Sequence, residues 1–269
     1  MDLIEDTFKT KKPIIAMCHL RALPGDPYYN TVGGIRLIVD SARRELLDLQ
    51  EGGVDAVMFS NEFSLPYLKK VDPVTTSSMA YVIGQIRNEI HIPFGVNVLW
   101  DPIASLDLAA ATDASFIREI MSGVYASDFG LWDTDMGKIA RHKAGLNLNN
   151  LKMLYNIVPE SANYLVQRDI SEIAKTTVFN ARPDVICVSG PHAGDAADES
   201  TLQKVKKALP DTAVFVNTGC KAETIAHFLD IADGAVVGTT FKENGIFENP
   251  VDLERVKRFM DKVHEFRKD

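Results

Sequence analysis

Short apolar runs alternate with longer amphipathic stretches along most of this chain. The apolar runs are rich in valine, isoleucine and phenylalanine, and polar residues stand at or just beyond their carboxyl ends. Such runs predict strands that are buried on both faces, and the stretches between them repeat apolar residues with the period of an amphipathic helix. The eight predicted strands cover residues 13–18, 54–59, 93–100, 115–120, 151–158, 184–188, 213–216 and 234–237.

Eight strand–helix units within 269 residues predict a closed parallel sheet surrounded by helices. The predicted fold is therefore a single (β/α)8 TIM barrel of the phosphate-binding type, forming one domain over residues 1–269. An open, doubly wound sheet is the alternative. The chain lacks a GxGxxG motif after its first strand, which favours the barrel.

The composition of the chain argues against nucleic acid and a lipid bilayer as binding partners. The net charge is −8 and the pI is near 5.3, so there is no basic surplus to neutralise nucleic acid, and we expect no nucleic-acid partner. No apolar run approaches the roughly 20 residues that span a bilayer, and we expect a cytoplasmic protein without a membrane span. The 3 cysteines are widely spaced and lie mostly in apolar runs, which predicts buried free thiols.

Two small, hydroxylated turns follow the seventh and eighth predicted strands. Residues 217–219 read Asn-Thr-Gly and residues 238–240 read Gly-Thr-Thr. Backbone N–H groups in such turns can bind an anion, and (β/α)8 barrels use the turns after strands seven and eight for phosphate. We therefore predict a phosphate site, with the alternative that the glycines only close tight turns. The predicted phosphate-binding residues are Ser189, Gly190, Asn217, Thr218, Gly219, Gly238, Thr239, Thr240 and, if it turns inward, Lys242.

Polar residues at the carboxyl ends of the strands are the candidates for catalysis, because that end of a barrel carries the active site. His19 suits acid–base chemistry because an imidazole titrates near neutrality. Arg118 stands beside apolar neighbours and requires an anionic partner, for which Glu62 and Asp101 are candidates. Asn97 and Asp101 share the inward face of the third strand, with an internal hydrogen bond as the alternative for Asn97. The predicted catalytic residues are His19, Glu62, Asn97, Asp101 and Arg118, and further polar strand ends lie at Glu119, Asn156, Glu160 and His192.

Two further features bear on the site. Glu62 and Asp101 could together hold Mg²⁺, although the sequence requires no cofactor. The connections over residues 122–135 and 159–169 are longer than a barrel needs, which is typical of lids and substrate walls. Tyr125, Phe129 and Trp132 would then cover a ligand, or else pack onto neighbouring helices or a second subunit.

Several segments carry a family resemblance. They are IAMCHLRALPG at residues 15–25, GVNVL at 95–99, FIR at 116–118, VSGPHAG at 188–194 and ADGAVVGTTFK at 232–242. On these motifs the chain resembles the BtpA/SgcQ family along nearly its whole length, and it is most similar to the SgcQ branch. The resemblance implies a barrel akin to phosphate-binding enzymes. Because the SgcQ branch is associated with sugar phosphotransferase gene clusters, it also implies a phosphorylated sugar or related metabolite as ligand.

Taken together, the residues and the resemblance lead us to expect an enzyme that acts on a small phosphorylated sugar or related metabolite. Proton-transfer chemistry, as in an isomerase, epimerase or lyase, is the expected reaction. The alternatives are a noncatalytic barrel that binds a phosphorylated ligand, or a protein-assembly factor of the BtpA type. By analogy with other barrels we expect a homo-oligomer.

Overall fold

A computed structural model of the protein describes residues 3–190, 195–217 and 219–268. The strands are β1 (Ile14–His19), β2 (Ala56–Ser60), β3 (Phe94–Asn97), β4 (Phe116–Glu119), β5 (Val124–Ser127), β6 (Gly130–Asp133), β7 (Lys152–Val158), β8 (Ala162–Tyr164), β9 (Val185–Ser189), β10 (Ala213–Asn217) and β11 (Gly234–Val237). The helices are α1 (Leu3–Phe8), α2 (Gly34–Glu51), α3 (Pro73–Ile86), α4 (Pro102–Thr112), α5 (Met136–Gly145), α6 (Ile170–Ala181), α7 (Glu199–Ala208), α8 (Ile225–Ile231) and α9 (Leu253–Lys268). Short 3₁₀ turns cover Arg87–Glu89, Thr239–Phe241 and Glu243–Gly245.

Eight parallel strands close into a barrel in the order β1-β11-β10-β9-β7-β4-β3-β2. The predicted (β/α)8 fold is thereby confirmed, and each of the eight predicted strands is present. The third strand is shorter than predicted and ends at Asn97. The next two N–H groups donate to side chains instead of a neighbouring strand: Val98 to Ser105 Oγ, and Leu99 to Asn61 Oδ1.

The barrel interior is apolar at its amino-terminal end. Side chains alternate along each strand, so that one set, which includes Met17, Phe116 and Phe215, fills the interior while the other set packs against the helices. Helix α1, which the sequence did not predict, inserts Phe8 into this end. The Phe8 ring lies 5.4 Å from that of Phe116 and 6.2 Å from that of Phe215. This end of the barrel is therefore closed by packed aromatic rings.

Two residues further along each strand, the same inward face becomes polar or small. We call this set the polar layer, and it consists of His19, Ser60, Asn97, Arg118, Asn156, Ser189, Asn217 and Gly238. Strand alternation and the common barrel register place these positions together at the carboxyl end of the sheet. The polar layer, which holds candidate catalytic and binding residues, therefore lies directly next to the apolar interior of the barrel.

The two long connections are not irregular lids. They form an antiparallel sheet in the order β6-β5-β8, beside the barrel mouth. Tyr125 and Trp132 are buried in it and pack with Ile120, while Phe129 lies against the edge of the same cluster. Trp100 joins this cluster to the barrel mouth, with its ring 5.3 Å from that of Trp132. The aromatic residues of these connections therefore serve mainly to attach the small sheet.

The structure bears on two expectations drawn from the sequence, which concern the cysteines and the membrane span. Cys18, Cys187 and Cys220 are buried, as predicted, and none of them forms a disulfide in the described structure. Within the described ranges, none of the helices combines the length and the apolar character needed to cross a bilayer.

Candidate functional site

A cavity of about 180 Å³ lies above the polar layer, at the carboxyl ends of the barrel strands. This is the end at which barrel enzymes place their active sites. Of the predicted site residues, those that line the cavity are His19, Glu62, Arg118, Asn217, Gly219, Gly238, Thr239 and Thr240. The other described candidates lie beneath it or elsewhere, and these are Asn97, Asp101, Ser189, Gly190 and Lys242.

Arg118 forms the floor of the cavity. Its Nη1 donates to Oδ1 of Asn217 and its Nη2 to Oδ1 of Asn97, both at 2.7 Å. These asparagines stand on β10 and β3, four places apart in the closed ring of eight strands. Because the guanidinium bridges opposite sides of the ring, it lies across the barrel axis. We expected Glu62 or Asp101 to pair with Arg118, but its direct partners are two neutral amides.

Asn97 supports Arg118 from below. While its Oδ1 accepts from Arg118, its Nδ2 donates to Oε1 of Glu119 at 2.6 Å. Ser105 of α4 donates to the same oxygen at 3.1 Å, and burial raises the pKa of Glu119 to about 8. The internal hydrogen bond foreseen as the alternative for Asn97 is therefore present. Asn97 fixes the orientation of the guanidinium rather than facing a ligand.

His19 is a buried, neutral imidazole. Burial lowers its pKa well below the ordinary value, and the charges of Lys242 and Arg118 lower it further. The expectation that His19 titrates near neutrality is therefore wrong. Its Nδ1 is buried without a hydrogen-bond partner in the described structure, and the ring of Phe247 lies 5.2 Å away. A neutral imidazole in this position is suited to hydrogen bonding with a ligand.

Two carboxylates, Glu62 and Glu160, line the same cavity. Glu62 accepts hydrogen bonds from Ser60 Oγ at 3.2 Å and from the Tyr67 hydroxyl at 3.3 Å. The carboxylate of Glu160 has no hydrogen-bond partner among the described residues. Burial raises the pKa of both groups, and for Glu160 it reaches about 7 against the lowering effect of Arg118. Glu160 is therefore the carboxylate that is free to exchange a proton near neutral pH.

Glu160 was noted in the sequence only as a polar strand end and was not among the predicted catalytic residues. Glu160 lies in the short segment between β7 and β8, so the position of its side chain depends on how the antiparallel sheet β6-β5-β8 packs beside the barrel. Tyr67, Trp100 and Phe247 also line the cavity, and none of them was predicted. Tyr67 and Phe247 stand outside every predicted strand, whereas Trp100 fell at the end of a third strand that was predicted too long. For Glu160, the one feature of the sequence that indicated a position near the cavity was that a polar residue follows an apolar run.

The turn after β11 retains the features expected of an anion site. Gly238 is followed by the 3₁₀ turn Thr239–Phe241, and all three residues Gly238, Thr239 and Thr240 line the cavity. Neither Thr239 nor Thr240 donates its backbone N–H to an acceptor in the described ranges. A Cβ at Gly238 would lie 3.1 Å from Nε2 of His19, so the position is close-packed towards the cavity.

The other predicted phosphate ligands have partners within the chain. Ser189 Oγ accepts from Asn217 Nδ2 at 2.6 Å and from Asn156 Nδ2 at 2.9 Å. A Cβ at Gly190 would lie 2.3 Å from a backbone oxygen of the 195–196 segment, and one at Gly219 would lie 2.2 Å from backbone atoms of that segment. These two glycines therefore permit the chain's own loop to approach. The predictions for Thr218 and His192 lie outside the described residues.

Lys242 and Asp101 have structural partners away from the cavity. The Lys242 ammonium, expected to add charge to a phosphate site, lies 2.6 Å from Oε1 of Glu45, and both side chains are buried. Asp101 caps α4 by accepting from the backbone N–H groups of Ile103 and Ala104, each at 3.1 Å. Its other oxygen accepts from Val71, so both are occupied. The described residues contain no cluster of three or more metal-ligating side chains, and the suggested Glu62–Asp101 magnesium pair does not share a cavity.

Comparison with known proteins gives consistent matches over nearly the whole chain. The chain is 56% identical over 268 residues to the sgc region protein SgcQ of Escherichia coli strain K12, covering 100% of both. It is 28% identical to the photosystem I biogenesis protein BtpA of Synechocystis, covering 98% of this chain and 92% of that one. In fold it is similar to tryptophan synthase of Mycobacterium tuberculosis, with a TM-score of 0.62, 13% identity and coverage of 99% and 97%. The profile of the BtpA family matches residues 10–265, and the chain belongs to this family.

Proposed function

We propose that this protein is an enzyme that acts on a small phosphorylated sugar or related metabolite by proton transfer, as an isomerase, epimerase or lyase. The observation that carries the proposal is the presence, in one cavity, of Glu160 with a pKa near 7 and the buried guanidinium of Arg118. A general base is most effective when its pKa lies near the working pH, and a fixed cation stabilises the charge that develops when a carbon loses a proton.

The chain offers a distinct role for each group. Glu160, which has no hydrogen-bond partner among the described residues, takes a proton from a carbon next to a carbonyl or carboxylate. Glu62, held by Ser60 and Tyr67, returns a proton or polarises a hydroxyl group. Arg118 stabilises the negative charge on the intermediate.

The phosphate group belongs at the turn after β11. Two successive backbone N–H groups, those of Thr239 and Thr240, have no acceptor there among the described residues, and Gly238 presents no side chain towards the cavity. Since Lys242 is paired with Glu45, this site holds its anion mainly by backbone dipoles.

Exchange of carbon-bound hydrogen with solvent tests the reaction class before the substrate is known. The protein is incubated in D₂O with a panel of phosphorylated pentoses, hexoses and sugar acids, and ¹H NMR detects loss of a carbon-bound proton. Exchange in at least one phosphorylated member, but not in its unphosphorylated form, is the expected result. Binding of a panel member without exchange or turnover would instead support the noncatalytic phosphate-binding alternative.

A pair of substitutions at Gly238 tests the phosphate position. Gly238→Asp is expected to weaken binding of the exchanging sugar phosphate by about a hundredfold, because it adds a negative charge beside the anion. Gly238→Asn has the same shape without the charge, and it reports the effect of crowding His19. Isothermal titration calorimetry measures both affinities. Equal weakening by the two variants would contradict an anion at this turn.

A further inference from the structure

Arg118 carries a buried positive charge. The carboxyl groups of Glu62, Glu119 and Glu160 lie near enough to feel this charge, but none of them forms a direct ion pair with the guanidinium among the described residues. Arg118 is 6% exposed, and its two side-chain hydrogen bonds go to neutral amide oxygens. Its guanidinium makes no ion pair in the part of the chain that the structure describes. A buried arginine without a directly paired anion is unfavourable, and its planar fork matches a carboxylate in geometry. The cavity above it is therefore suited to a ligand that supplies an anion at this point.

The anion at Arg118 is separate from the phosphate at Gly238. Arg118 stands on β4 and Gly238 follows β11, which are four places apart in the ring of eight strands. The guanidinium lies across the axis, because it bridges Asn97 and Asn217, whereas the turn after β11 is at the rim. A small ligand with its phosphate at the rim therefore places its other end over the axis.

We propose that the ligand carries a carboxylate that Arg118 binds, so that the substrate class is the phosphorylated sugar acids. The inference rests on the proposed function for the position of the phosphate, but the carboxylate site depends only on Arg118 and its two asparagines. A carboxylate is favoured over a second phosphate because Glu62 and Glu160 line the same cavity and repel a dianion more strongly. A carboxylate also acidifies the neighbouring carbon, as proton transfer to Glu160 requires.

Matched ligand pairs separate the two anionic groups. Glucitol 6-phosphate and 6-phosphogluconate share the phosphate and differ at the other end, and glycerol 3-phosphate and 3-phosphoglycerate form a shorter pair. By calorimetry, the acid of at least one pair is expected to bind about tenfold or more tightly than its neutral partner. In Arg118→Gln this preference disappears, while the affinity for the neutral partner is retained.

Two further variants test whether the loss of preference in Arg118→Gln comes from a disturbed structure rather than from the lost guanidinium. Arg118→Lys keeps a positive charge without the planar fork and is expected to recover only part of the preference. Arg141→Gln, on the exposed surface of α5, is expected to keep it in full. Thermal unfolding of each variant verifies that the fold is intact.

The outcomes distinguish this inference from the proposed function. Equal affinity for acid and neutral partners in the wild type overturns the carboxylate site and leaves the phosphate site standing. If gluconate binds as tightly as 6-phosphogluconate and Gly238→Asp has no effect, the carboxylate site holds and the phosphate site fails. If the folded protein binds no member of either pair, both are overturned.

Discussion

Glu160→Gln is expected to slow the exchange of carbon-bound hydrogen with solvent by about 10²- to 10⁴-fold, the contribution of a single general base. Glutamine keeps the size of the side chain but cannot accept the proton. Affinity for the phosphorylated substrate is expected to change little, because the phosphate turn after β11 is separate from the β7–β8 segment that carries Glu160. The measurement is the initial rate of deuterium incorporation by ¹H NMR, together with calorimetry on the same sample.

Two control variants show whether the loss of exchange is specific to Glu160. Glu254→Gln, in a side chain that is 84% exposed on α9, is expected to exchange at the wild-type rate. Glu62→Gln is expected to lower the rate less than Glu160→Gln, since Glu62 already accepts hydrogen bonds from Ser60 and Tyr67. A larger loss in Glu62→Gln than in Glu160→Gln would reverse the assigned roles of the two carboxylates.

The pH dependence of exchange follows from the raised pKa of Glu160, which is about 7. A general base works in its deprotonated form, so kcat/KM is expected to rise about tenfold per pH unit below neutrality and to level off above the pKa of the free enzyme. Burial lowers the pKa of His19 well below the ordinary value, so a transition of His19 is expected at lower pH than that of Glu160. A wild-type profile that is flat between about pH 5 and pH 9 would argue against Glu160 as the base.

Much of the site could be predicted because barrel strands impose a period of two. Once Met17 and Phe116 are recognised as interior residues, His19 and Arg118 follow on the same face. The expectation that Asp101 shares the inward face of the third strand with Asn97 was wrong, because that strand ends at Asn97. Asp101 stands directly before Pro102, a pairing typical of a helix start, and this signal could have corrected the boundary.

The cavity walls were harder to predict because they come from outside the strands. Glu160 and Phe247 reach the cavity from connecting segments whose path depends on tertiary packing. The partner of Lys242 was hard to predict as well, because Glu45 stands 197 residues earlier in the chain and only the tertiary fold brings the two together. A weak signal did exist there: Glu45 follows Ala42 by three residues and precedes Leu46, which places it on the buried face of α2.

The buried pair of Lys242 and Glu45 is expected to contribute strongly to stability. Lys242→Met leaves the Glu45 carboxylate buried without its cation, and breaking such a pair typically costs about 3–5 kcal/mol of unfolding free energy. Urea denaturation measures the loss. The double variant Glu45→Gln with Lys242→Met removes both charges and retains an acceptor for the His19 N–H, so it is expected to recover a large part of the stability.

The same pair also links stability to the chemistry of the cavity. Glu45 joins α2 to the backbone of His19 and, through Lys242, to the turn that begins at Gly238. The Lys242 charge lowers the pKa of His19, so removing it in the folded double variant is expected to raise that pKa, as ¹H–¹⁵N NMR of the imidazole can measure. Lys257→Met, which breaks an exposed pair with Glu51, is the control and is expected to change neither quantity appreciably. A loss of stability in Lys242→Met no greater than in this control would mean that the pair is dispensable. An unchanged His19 pKa would mean that burial and the Arg118 charge keep the imidazole neutral without Lys242.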